Sequence, residues 1–122
     1  MRAAGLHAIA TLLQTEAVLI KSSTPKHLVL EPLIKVITSR IAGVVAASRY
    51  VVCEYNIHRK DLAHATSVTP GRRAATISPL EEEGWVAVSV MVEKSRIADA
   101  MDELVKIGAQ DIMIFNLDNC RV

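Results

Sequence analysis

The chain has 122 residues, about half of them apolar, and a formal net charge of +1 with acids and bases interspersed. That is one domain, or one domain with a piece of another, with enough apolar material for a core. The near-neutral balance argues against the basic stripe of a nucleic-acid binder, and no apolar run reaches the roughly 18–20 residues needed to span a bilayer. Aromatics are restricted to Tyr50, Tyr55, Trp85 and Phe115, so the core is expected to be aliphatic. Cys53 and Cys120 lie far apart with no CxxC spacing, which fits a reduced, cytoplasmic protein better than a disulfide scaffold or a zinc site.

In chain order, residues 1–24 read as part of a larger unit, with Arg2–Leu13 as a short helix and Thr15–Ile20 as a strand. His7, Gln14 and Glu16 break the faint likeness to a signal peptide, and no cleavage site follows. A lone helix and strand cannot bury their apolar faces against each other, so something upstream is expected to complete them. Residues 25–49 read as a linker and a bridging helix. Pro25 marks a turn, and Pro32 stands in the first turn of a helix over Glu31–Ser48. Leu33, Ile34, Ile37, Ile41, Val44 and Val45 recur along it at three- and four-residue spacing.

From residue 50 the pattern changes. Tyr50–Asn56 alternates as a strand, with Val51, Cys53 and Tyr55 on one face and Val52, Glu54 and Asn56 on the other. A short helix is expected over Arg59–Thr66, and the turn at Thr69–Gly71 ends it. Ala74–Leu80 reads as a second strand, Glu81–Gly84 as a charged hairpin connection, and Trp85–Val92 as a third strand. Ser95 is expected to cap a helix to Ile107 with a stripe of Ile97, Met101, Leu104 and Val105, and Gly108 suits the left-handed residue after it. Asp111–Leu117 reads as a fourth strand. The order over residues 50–122 is therefore β-α-β-β-α-β, an α+β domain of the ferredoxin-like, split βαβ type. Two helices cover one face of such a sheet. The third and fourth strands are apolar on both faces, so the other face is expected to be buried in a homo-oligomer.

No catalytic constellation is visible. His7, His27, His58 and His64 lie in different elements, the glycines are isolated, no base accompanies either cysteine, and no metal-ligand cluster appears. The binding features centre on Thr69–Leu80, Thr-Pro-Gly-Arg-Arg-Ala-Ala-Thr-Ile-Ser-Pro-Leu. Asn56 and Glu54 share a face of the first strand, and Arg72, Arg73 and Thr76 open the second. An amide, guanidinium groups and a hydroxyl can orient an amino acid through its carboxylate and ammonium. The same residues also suit a solvated turn and a β-forming position, and both readings stand at this point.

Thr69–Leu80, Gly84-Trp-Val-Ala-Val, Met101-Asp-Glu-Leu, Ile107-Gly-Ala-Gln-Asp-Ile and Asn119-Cys-Arg-Val together resemble the C-terminal regulatory domain of long-form, fungal-type ATP phosphoribosyltransferases. Ile41-Ala-Gly-Val-Val-Ala-Ala-Ser-Arg-Tyr and Tyr55-Asn-Ile extend the likeness over essentially the whole chain, and residues 1–24 resemble the end of the catalytic part. The resemblance implies the first step of histidine biosynthesis, in which ATP and phosphoribosyl pyrophosphate give phosphoribosyl-ATP and pyrophosphate with magnesium. It implies for this piece feedback inhibition by histidine and assembly into a hexamer. By position it places histidine at Asn56, Arg72, Thr76, Met91 and Asp111, with no catalytic residue and no metal in the chain. The phosphoribosyl-pyrophosphate loop of the family falls before Met1, so these residues alone are expected to be inactive. The competing expectations are a stand-alone amino-acid-binding module, a trimeric metal-tolerance protein of the same fold, and a purely structural oligomerisation piece.

Overall fold

The computed structural model describes residues 7–24 and 28–121. Its contacts divide into two units, Met1–Glu31 and Pro32–Val122. In the first unit, residues 7–24 form neither helix nor strand. Arg2–Leu6 and Pro25 of the expected elements lie outside the described residues. The remainder of the expected helix and the strand at Thr15–Ile20 do not form. Val18, Leu19 and Ile20 stay exposed, and a segment with no backbone partner among the described residues has nothing to offset the entropy of ordering it. A short 3-10 turn follows at Leu28–Leu30. The Lys21 ammonium lies 3.1 Å from the Glu31 carboxylate, an exposed pair of small energetic weight.

From Pro32 the second unit holds the rest of α1 (Glu31–Ala47), then β1 (Tyr50–His58), α2 (Leu62–Val68), β2 (Thr76–Pro79), β3 (Trp85–Glu93), α3 (Ile97–Ile107) and β4 (Gln110–Asn116). A single 3-10 turn, Arg59–Asp61, separates β1 from α2. The strands form one sheet in the order β2-β3-β1-β4, every neighbouring pair antiparallel. This is the split βαβ order of a ferredoxin-like domain, preceded by a helix.

Strict alternation along β1 sends Val51, Cys53, Tyr55 and Ile57 into the core, and Val86, Val88 and Val90 of β3 join them. Ala65 of α2 and Leu104 of α3 close over that face. The core is aliphatic apart from Tyr55, as the composition requires. The buried Tyr55–Thr69 pair within it is satisfied: the Thr69 hydroxyl donates to the Ala65 carbonyl at 3.2 Å and accepts from the Tyr55 hydroxyl at 2.9 Å. Burial raises the Tyr55 phenol above its ordinary range, opposed by this bond.

The second strand is shorter than the expected Ala74–Leu80, and the helix expected over Arg59–Thr66 is α-helical only over Leu62–Val68. Two details of α3 differ as well. Arg96, not Ser95, stands at the start of α3, and no side chain caps it, because a run of turns displaces Ser95 one position outward. Val105 is exposed, and α3 packs through Ala100 and Leu104 instead. Gly108 does take the left-handed conformation, at φ 96°.

The apolar stripe of α1 is exposed along Leu33, Ile37, Ile41 and Val44, and the helix buries Gly43 and Ala47 instead. The segment after β4 docks there. The Asn119 amide donates to the Arg40 carbonyl and the Cys120 N–H to the Gly43 carbonyl, each at 3.2 Å.

Candidate functional site

Among the described residues, nothing buries the sheet face turned away from α2 and α3, and its β2 and β4 side chains are exposed. Its register sets a polar row across three strands, Thr76 beside Ser89 and Ser89 beside Glu54. The Ser89 hydroxyl donates to Glu54 Oε1 at 3.0 Å. Met113 continues the row on β4, and one register step away Phe115, Val52 and Met91 form an apolar row. Met113 and Phe115 are nearly half exposed, at 46% and 48%. The face is polar at its centre and apolar at its flank.

The pairing of β1 with β4 is irregular: Glu54 opposes Met113, yet Asn56 opposes Gln110. β4 therefore carries one extra residue there, a β-bulge, and Asp111 within it has φ 50°, the left-handed region. Asn and Asp tolerate that conformation better than other non-glycine residues because their short polar side chains bond locally. Bulges re-aim side chains. Here the Asp111 carboxylate reaches the Asn56 amide, Nδ2 donating to Oδ2 at 2.9 Å.

Asn56, Thr76, Glu54, Ser78, Ser89 and Met113 line an open cavity of about 250 Å³. That is below the roughly 300–1,000 Å³ typical of sites for drug-sized ligands, so it suits a small metabolite. Of the five residues expected to hold a ligand, Asn56 and Thr76 share this cavity and Asp111 is bonded to Asn56. Arg72 and Met91 do not line it. They line a second cavity of about 110 Å³ with Tyr50, Thr69, Glu93 and Arg96. The Thr69–Leu80 stretch thus serves both cavities. Thr69 is pinned in the core, Arg72 and Arg73 are exposed, and Thr76 begins β2. Gly71 keeps the stretch tight against the sheet: at φ 68° it has no room for a side chain, since a Cβ would lie 2.8 Å from Val90 Cγ2.

Ser78 and Ser89 are lining residues that the sequence reading passed over. Their signal is the period of two along β2 and β3, which assigns faces only once the register is known. Of the histidines, His58 accepts from the Lys60 N–H at 3.5 Å and packs edge-on to Trp85, with ring centres 5.7 Å apart. Among the described residues no group of three or more His, Cys, Asp or Glu side chains could hold a metal. Among them, too, no helix is long and apolar enough to cross a membrane.

Residues 47–119 match the family described as HisG, C-terminal domain. The whole chain is 57% identical over 122 residues to the ATP phosphoribosyltransferase of Yarrowia lipolytica, of which it covers 40%. It is 52% identical over 122 residues to the ATP phosphoribosyltransferase of Saccharomyces cerevisiae, again covering 40% of that protein. Over 121 residues it is 46% identical to that of Schizosaccharomyces pombe, covering 39%. The chain therefore spans about 40% of the length of the curated relatives it matches.

Proposed function

Because the chain belongs to the HisG C-terminal domain family, we propose that it is the regulatory part of an ATP phosphoribosyltransferase, binding histidine as a feedback inhibitor and mediating self-association. The reaction served is the first step of histidine biosynthesis, the joining of ATP and phosphoribosyl pyrophosphate. Transfer itself requires residues beyond these 122. The chain holds no glycine-rich phosphate loop, and oriented N–H groups of that kind are a recurrent way of holding phosphate charge. Magnesium belongs to that transfer step. The setting is the cytoplasm, where the two free cysteines stay reduced.

The observation that carries the reading is the meeting of Asn56, Thr76 and Asp111 on an open sheet face, in a chain similar to ATP phosphoribosyltransferases from end to end. Histidine contacts these three, and Arg72 and Met91 reach it from the neighbouring copy of the chain. Exposed Met113 and Phe115 support the same assembly, because burying them gains about 25 cal/mol per Å² of apolar surface. A hexamer follows from the family resemblance. Sedimentation velocity and calorimetry on the 122-residue chain test this together. Association with saturable histidine heat is expected. Association without that heat would leave a purely structural oligomerisation role, and a monomer without heat would end the reading.

A further inference from the structure

The open-face cavity is chemically one-sided. Its polar lining is the Glu54 carboxylate, the Asn56 amide and the hydroxyls of Thr76, Ser78 and Ser89, with no lysine, arginine or histidine among the described residues. The Asn56 amide is oriented as well. One of its two Nδ2 protons goes to Asp111, which leaves Oδ1 as an acceptor and the second N–H as a donor. Ser89 takes Glu54 Oε1 and leaves Oε2 with no partner among the described residues. Glu54 is half-buried and sits mid-strand in β1, a rigid place for a charge. The cavity therefore offers one carboxylate, the Asn56 oxygen and hydroxyls that can accept as well as donate. An ammonium, with three donors and a positive charge, is met by Glu54 and these acceptors, whereas a carboxylate would face the Glu54 charge with no lining cation to offset it.

We propose that Glu54 is the specificity-determining residue of this cavity: it receives the cationic ammonium of a small amino compound, with Asn56 Oδ1 as the second acceptor. The proposal rests on the histidine reading above for the identity of the ligand, and on the cavity alone for its charge. The ligand's carboxylate lies outside the cavity, toward a cation that these lining side chains do not supply. Glu54 thus separates amino compounds from their deaminated analogues, and Ser89 acts as a positioning residue by fixing the carboxylate.

The test is calorimetric titration of the 122-residue chain with histidine, histamine (no carboxylate) and imidazole-lactate (no ammonium). The variants are Glu54→Gln, which keeps an acceptor for Ser89, and Glu82→Gln on the exposed hairpin as a charge control. Glu54→Gln is expected to weaken histidine and histamine by on the order of 10- to 100-fold, the range of a hydrogen bond to a charged group. Glu82→Gln leaves both unchanged. Imidazole-lactate binds the unaltered chain more weakly than histidine does, and Glu54→Gln does not weaken it further. Equal histidine affinity in the unaltered chain and Glu54→Gln would overturn the proposal while the histidine reading stands. Binding of histamine but not histidine would sink the histidine reading and keep the role of Glu54. Binding of neither would end both. Circular dichroism of Glu54→Gln, expected to match the unaltered chain, separates lost recognition from lost fold.

Discussion

The buried Tyr55–Thr69 pair gives a stability prediction whose asymmetry can be worked from the geometry. The Thr69 hydroxyl has its proton committed to the Ala65 carbonyl, so Tyr55 is the donor in the 2.9 Å contact. In Tyr55→Phe, Thr69 keeps Ala65 and nothing is stranded. The cost is that of one lost bond, about 0.5–1.5 kcal/mol. In Thr69→Val the shape is kept, and the Ala65 carbonyl still accepts the residue 69 N–H at 3.1 Å. The Tyr55 hydroxyl, on a side chain only 1% exposed, is then left without an acceptor. That costs about 1–3 kcal/mol. In the double variant no hydroxyl remains to be stranded, so the sum of the single costs should exceed the double cost by about 1 kcal/mol. Urea unfolding followed by circular dichroism measures all four proteins. Additive costs, or Tyr55→Phe costing more than Thr69→Val, would refute the assignment of donor and acceptor.

Three further outcomes follow from individual positions. Gly43→Ala gains about 1 kcal/mol of helix propensity, but its Cβ would fall against Arg121 and within 2.8 Å of the Cys120 carbonyl. The segment after β4 should detach from α1, read as faster hydrogen exchange at the Cys120 N–H; unchanged exchange would contradict the docking. Asp111→Val should cost about 1–2 kcal/mol more than Asp111→Gly, because only the valine is strained at φ 50°; equal costs would mean that the bulge is not held. Burial, with Glu54 adding to it, pushes the Cys53 thiol from 9.0 up to about 11. The unfolded chain then loses that proton first. The stabilisation is whole below pH 9.0 and is lost as pH rises through about 11. Cys53→Ala should flatten that part of the stability–pH curve, and an unchanged slope would remove Cys53 as its source.

Elements carried by local pattern were legible before the fold was known. β1 declared itself by alternation, α1 by three- and four-residue spacing, and the end of α3 by Gly108. Features that depend on pairing were not legible. The bulge that turns Asp111 to Asn56 exists only in the register between β1 and β4. Ser78 and Ser89 join the cavity only because β2 lies beside β3 in that register. Arg72 stands four residues from Thr76, yet the two line different cavities, because Gly71 turns the stretch and Thr69 anchors its start. The stripe of α1 is apolar in sequence and exposed in the fold, and periodicity carries no information on what covers it. The Thr15–Ile20 segment has strand composition and no partner within the described residues, so composition and structure part there.

The measurement closest to the central claim is the thermal midpoint of the chain against histidine concentration. A ligand that binds the folded state stabilises it by RT ln(1 + [L]/Kd), so the midpoint should climb without a plateau as histidine rises above Kd. Lysine and glutamate at equal concentrations should not reproduce that climb, and Thr76→Ala should need more histidine for the same shift. A midpoint that ignores histidine, or moves equally with any amino acid, would contradict a histidine site on this sheet face.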